Sequence, residues 1–128
     1  MKNLYYILLP LAILVFGVNP QIASAQPPPE DLKVDEAYIV NKVNHEVYLE
    51  LSHDTISWGS YEIGMAGSGK HEVFYENLSN QNLNRERYGF LRVYTPGTSD
   101  YLQYEVIARR RYMLIYRDGK VQLQQMTL

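Results

Sequence analysis

The amino-acid sequence predicts an all-β fold, a small antiparallel β-sandwich of about seven to eight short strands. Three observations carry that expectation. Apolar and polar residues alternate with a period of two through several segments. Turn-forming residues recur between those segments at intervals of roughly 8–12 residues. No segment sustains the period of about 3.6 residues that an amphipathic helix requires.

The domain is expected to begin only after an export signal. Lys2 supplies a positive start, residues 4–18 are almost wholly apolar, Asn19 and Pro20 break the run, and Ala23, Ser24 and Ala25 follow. That order marks residues 1–25 as a cleavable signal peptide. The apolar run is shorter than the ~20 residues that span a bilayer core, and Pro10 interrupts it, so no membrane span is expected after cleavage. Residues 26–33, with Pro27, Pro28 and Pro29, form a stiff lead. Residues 34–128 are the β-domain.

Within it, Ala37, Ile39 and Val43 alternate with Tyr38, Val40 and Lys42. Val47, Leu49 and Leu51 alternate with Tyr48, Glu50 and Ser52, a clean inside/outside strand. Asn44 and His45 between them suit a tight hairpin turn. Further strands are expected over residues 57–63, 71–76, 88–95, 101–108, 112–116 and 121–125. The glycine-rich 64–69 and the polar 77–87 are expected to be loops. Asp118-Gly119 between alternating segments is the strongest hairpin signal in the chain. An immunoglobulin-like or related Greek-key sandwich accommodates these strands, and without crossover helices a parallel sheet is not expected.

Composition bounds the function. The chain has no cysteine, which excludes disulfides, cysteine-ligated zinc and thiol catalysis. In an exported chain this tilts the expectation toward a bacterial protein, periplasmic or secreted. Residues 26–83 carry 3 basic and 10 acidic side chains, and residues 84–128 carry 8 basic and 4 acidic. Acidic and basic strands lying side by side would pair across the sheet. The balance is acidic, so nucleic acid is not an expected partner.

Gly64 to Lys70 has the spacing of a phosphate-binding loop. His71, however, stands where a hydroxyl should hold magnesium, and a strand follows where a helix is needed. A nucleotide is therefore not an expected ligand, and no other cofactor is implied. His45, His53 and His71 each precede an acid and would form a metal site only if their loops met. Trp58 is expected to fill the space between the sheets; the alternative is a ligand-facing aromatic platform, and its position near a strand start leaves both open. Asn77-Leu78-Ser79 is a glycosylation sequon, relevant only in a eukaryotic source. No catalytic triad spacing or nucleophile elbow is present.

Tyrosine dominates the aromatic content, with 12 residues against 3 Phe and 1 Trp. Tyrosine supplies large contact area at low entropic cost in recognition surfaces. Tyr94, Tyr101, Tyr104, Tyr112 and Tyr116 are the candidate binding residues. Arg109, Arg110 and Arg111 are expected at the rim, where guanidinium forks grip anionic groups; Arg85, Arg87 and Arg92 could extend that patch. The leading expectation is a non-enzymatic envelope or secreted module that binds a protein or an envelope polymer, with an open edge strand as the simplest binding mode. The alternatives are a metal-handling protein using the three histidines, and a small hydrolase or an inhibitor of one.

Overall fold

A computed structural model describes residues 31–81 and 85–127. The expected signal peptide and most of the proline-rich lead lie outside the described residues. Among the described residues eight strands form: β1 (Ala37–Asn41), β2 (Val47–Ser52), β3 (Gly59–Ile63), β4 (Glu72–Tyr75), β5 (Tyr88–Tyr94), β6 (Tyr101–Ile107), β7 (Arg111–Arg117) and β8 (Lys120–Gln125). They build two four-stranded sheets, β4-β1-β7-β8 and β3-β2-β5-β6. Among the described residues there is no helix long and apolar enough to cross a membrane.

The two-residue period decides which side chains enter the core. Val47 and Leu49 from β2, Leu91 and Val93 from β5, and Val106 from β6 meet Ile39, Leu114 and Val121 of the other sheet, all fully buried. β1 is buried along its whole length, as a central strand with few polar residues should be. Asp118 and Gly119, with φ of 56° and 77°, make the tight turn between β7 and β8, where Arg117 faces Lys120.

Two expectations about connection change. β1 and β2 do not form a hairpin across Asn44 and His45, because they lie in different sheets. β1 also pairs with β7 in parallel, Ile39 opposite Tyr112. A parallel neighbour needs a long crossover, and here the second sheet supplies it instead of a helix. β4 returns beside β1 after the β2–β3 hairpin of the opposite sheet, which is a Greek-key relation. The immunoglobulin order, by contrast, keeps the first two strands in one sheet.

One end of the sandwich is tied by a buried polar side chain. Asn41, fully buried, donates through Nδ2 to the carbonyls of His45 and Gly64, both at 2.9 Å, and accepts from the Val43 amide at 2.8 Å. It joins the end of β1 to the 42–46 and 64–70 loops. The 64–70 loop closes on itself through Gly64 N–H to the Lys70 carbonyl, 2.7 Å, and leads into strand β4.

Tyr75 ties the opposite end. Its hydroxyl donates to the Ser52 carbonyl at 2.8 Å. Gly89 gives it room: a Cβ there would lie 2.7 Å from the Tyr75 hydroxyl and 2.6 Å from Leu78 Cδ2. Leu78 is fully buried, so the polar 77–87 loop sends a side chain into the core.

Asn41→Ala is expected to cost about 1–3 kcal/mol, because the buried Gly64 carbonyl and the part-buried His45 carbonyl and Val43 amide lose their partner; urea titration measures it. A second expectation concerns alkaline pH. Burial pushes the Tyr75 phenol up from 10.0 to about 12. The folded state thus prefers the protonated phenol, and this stabilisation is complete below pH 10 and lost as pH rises through about 12. Urea midpoints should fall across that window, and less steeply in Tyr75→Phe. Burial shifts Tyr38 and Tyr112 in the same direction, so part of the slope remains.

Candidate binding face

The outer face of the β3-β2-β5-β6 sheet gathers the aromatic rings. Because Val47, Leu49, Leu91 and Val93 point inward, Tyr48, Glu50, Arg92 and Tyr94 point outward. The register then aligns them. Tyr94 sits opposite Tyr101 of β6, and Leu49 opposite Val93 brings Tyr48 beside Tyr94. Tyr48 and Tyr94 pack edge to face with ring centroids 5.1 Å apart, and Tyr94 and Tyr101 lie 5.2 Å apart. Tyr48 is 38% and Tyr101 44% exposed, so the row presents ring surface to solvent.

Arg92 organises the next row. It stands between Glu50 on β2 and Gln103 on β6. Its guanidinium lies 3.8 Å from the Trp58 ring centroid and 4.7 Å from that of Tyr101. Nη1 is 3.5 Å from Glu50 Oε1, and Nε donates to Gln103 Oε1 at 3.2 Å. Cation–ring contacts of this kind contribute on the order of 1 kcal/mol each. Tyr94 donates its hydroxyl to Glu50 Oε1 at 2.7 Å, and this hydrogen bond to a carboxylate holds the phenol above its ordinary pKa. Glu50 and Arg92 are an acidic and a basic group paired across strands, and Arg85 of the 77–87 loop meets Glu105 of β6 at 2.7 Å.

Trp58 is not between the sheets. Gly59, Tyr61 and Ile63 share the inward parity of β3, so Trp58 falls on the outward parity with Ser60 and Glu62. A turn presents it. Asp54 Oδ1 accepts from the amides of Ile56 at 2.8 Å and Ser57 at 2.9 Å, and the Trp58 indole donates to the Thr55 carbonyl at 3.2 Å. Those two amides, Ser57 first, hold the Asp54 carboxyl below its ordinary pKa.

Two hollows adjoin the tyrosine row. One, of about 310 Å³, is lined by residues that include His45, Glu46, Tyr48, Glu62, Tyr94 and Pro96. The other, of about 410 Å³, is lined by His45, Glu46, Glu62, Met65, Ser68 and Lys70. Both depend on the loops that Asn41 holds.

The residues singled out in the sequence are dispersed. Tyr94 and Tyr101 are on this face. Tyr104 points inward, half-buried against the core. Tyr112 is 6% exposed and accepts from the Ile107 amide at 2.9 Å, so it belongs to the core. Tyr116, 62% exposed, ends β7 in the other sheet. Arg109 and Arg110 lie in the β6–β7 turn and Arg111 begins β7, away from the end of β5 where the tyrosine row sits. Arg110 meets Glu86 at 4.0 Å and Gln125 at 3.3 Å. His45 and His71 occupy one end of the sandwich and His53 the other. Among the described residues no three His, Asp or Glu side chains are grouped to hold a metal. Tyr48 and Glu50 were not recognised as parts of a face by sequence reasoning, and for Trp58 the outward position was only the alternative. Alternation already placed Tyr48 and Glu50 outside, but only the register set them beside Tyr94 and Arg92.

The Asp54 turn predicts an acid response. A carboxyl with a lowered pKa stabilises its turn above the ordinary value of 3.8, and that contribution is lost as pH falls through the lowered value. Trp58 emission is expected to shift below pH 3.8 as the turn loosens. Asp54→Ala should show the loosened emission already at neutral pH. Comparisons with protein-family models, curated proteins and solved structures give no match to this chain.

Proposed function

We propose that this chain is an exported, non-enzymatic β-sandwich, periplasmic or secreted, that binds a protein or an envelope polymer. Its contact surface is the outer face of the β3-β2-β5-β6 sheet. The observation that carries this reading is the row of Tyr48, Tyr94 and Tyr101, continued by Arg92 stacked on Trp58. Exposed rings held rigid by neighbours lose little entropy when a partner covers them, and tyrosine, tryptophan and arginine are the residues that dominate binding energies.

The electrostatics favour recognition over chemistry. The displaced ionisations belong to core tyrosines, to the Asp54 turn, to the Tyr94–Glu50 hydrogen bond and to the Arg85–Glu105 pair. Each is explained by a structural contact and none requires a catalytic role.

The test compares the purified protein with a variant carrying Tyr48→Thr, Tyr94→Thr and Tyr101→Thr. Threonine keeps the strand propensity and removes the rings. Both are immobilised and exposed to solubilised envelope of the source cells, with circular dichroism confirming the fold. The wild type is expected to retain a partner that the variant releases. Equal retention by both proteins would show that the partner binds elsewhere.

A further inference from the structure

The face already shows how it holds a cation. Arg92 lies between the rings of Trp58 and Tyr101, with the Glu50 carboxylate 3.5 Å away. One row further along the sheet, the same ingredients recur. Tyr48 and Tyr94 line the hollow of about 310 Å³ together with Glu46 and Glu62. His45 lines this hollow as well and Lys70 lines the adjoining one, but among the described residues no lysine, arginine or histidine forms an ion pair with Glu46 or Glu62.

The hollow also adjoins an open edge. Among the described residues β3 pairs only with β2, and no described strand lies along its other row of amides and carbonyls. Glu62 lies on β3 directly opposite Tyr48. A strand added along β3 would extend the row from Tyr101 through Tyr94, Tyr48 and Glu62 by one more outward side chain. Opposite charges at such cross-strand positions attract, and like charges repel.

We propose that the hollow receives a lysine or arginine side chain from an extended segment of a partner protein, laid along the open edge of β3. The proposal rests on the reading of this sheet face as a binding surface and names the chemistry of its partner. The carboxylates of Glu46 and Glu62 supply charge complementarity, and the Tyr48 and Tyr94 rings supply the wall that Trp58 and Tyr101 supply for Arg92. His45 lines both hollows, and Lys70 lines the adjoining one. The positive charge of Lys70 limits the fit to one basic residue and disfavours a polybasic run.

Calorimetry tests this with a short capped peptide that alternates valine and threonine around one central lysine. A second peptide carries glutamate in the lysine's place. The lysine peptide is expected to bind the purified protein about tenfold more tightly than the glutamate peptide. Its affinity should fall as salt is raised from about 50 to 500 mM. A Glu46→Gln, Glu62→Gln variant should lose about tenfold for the lysine peptide and should bind the glutamate peptide at least as well as the wild type does. No binding, equal binding of the two peptides, or undiminished binding by the variant overturns the proposal. The peptide and salt comparisons use the wild type and do not depend on how the variant folds. A glucosamine oligomer run in parallel identifies the source of the cation: if it binds through Glu46 and Glu62 and the peptide does not, the partner is an amino sugar and the protein assignment falls. The envelope experiment separates the two levels. If the tyrosine variant loses its partner while the Glu46, Glu62 variant keeps it, the cation site is wrong and the binding face stands. If both variants keep it, the face itself is wrong.

Discussion

Asn41 closes β1 with its side-chain amide enclosed by protein, and the partners of that amide belong to two different loops. A buried amide without partners would be costly. The residue is tolerated because the His45, Gly64 and Val43 backbone groups satisfy it, and those groups are satisfied in return. The 42–46 loop carries His45 and Glu46, and Gly64 follows the strand that carries Glu62. One buried amide therefore fixes the relative position of the charged groups around the hollows. Ala66 N–H to the Val43 carbonyl, 2.9 Å, adds a second tie between the same two loops.

The face itself is made by alternation acting under a fixed register. Hydrophobic packing turns Val47, Leu49, Leu91 and Val93 inward, which leaves Tyr48, Glu50, Arg92 and Tyr94 no direction but outward. Once outside, they stabilise one another. Glu50 accepts from Tyr94 and meets Arg92, Arg92 stacks on Trp58, and Tyr94 packs between Tyr48 and Tyr101. An exposed ion pair alone is worth little. Set among rings that hold the long side chains in place, it pre-organises a surface for a partner.

Much of the fold was legible because strand patterns and tight turns are local. The alternation over residues 47–52 and the Asp118-Gly119 turn both appear in the structure where the pattern put them. Sheet membership was not legible. Asn44 and His45 have turn chemistry whether the next strand pairs with β1 or crosses to the other sheet. The parallel β1–β7 pair joins segments on either side of the entire second sheet, a relation that no local pattern encodes. For the binding face, Tyr94 and Tyr101 were recognisable by type, and density wrongly grouped Tyr104 and Tyr112 with them. Their parity along β6 and β7 turns both rings inward.

By itself, then, the sequence determined the β class, the strand positions and the abundance of tyrosine available for contact. Those properties follow from side-chain period and turn propensity, which act over a few residues. The tertiary structure alone decided that Trp58 stacks on Arg92 rather than filling the core, that His53 stands at the opposite end from His45 and His71, and that the arginine cluster lies away from the tyrosine row. These are consequences of register and strand order. Both are set by the packing of one sheet on the other, where a shift of a single residue would exchange the inner and outer faces.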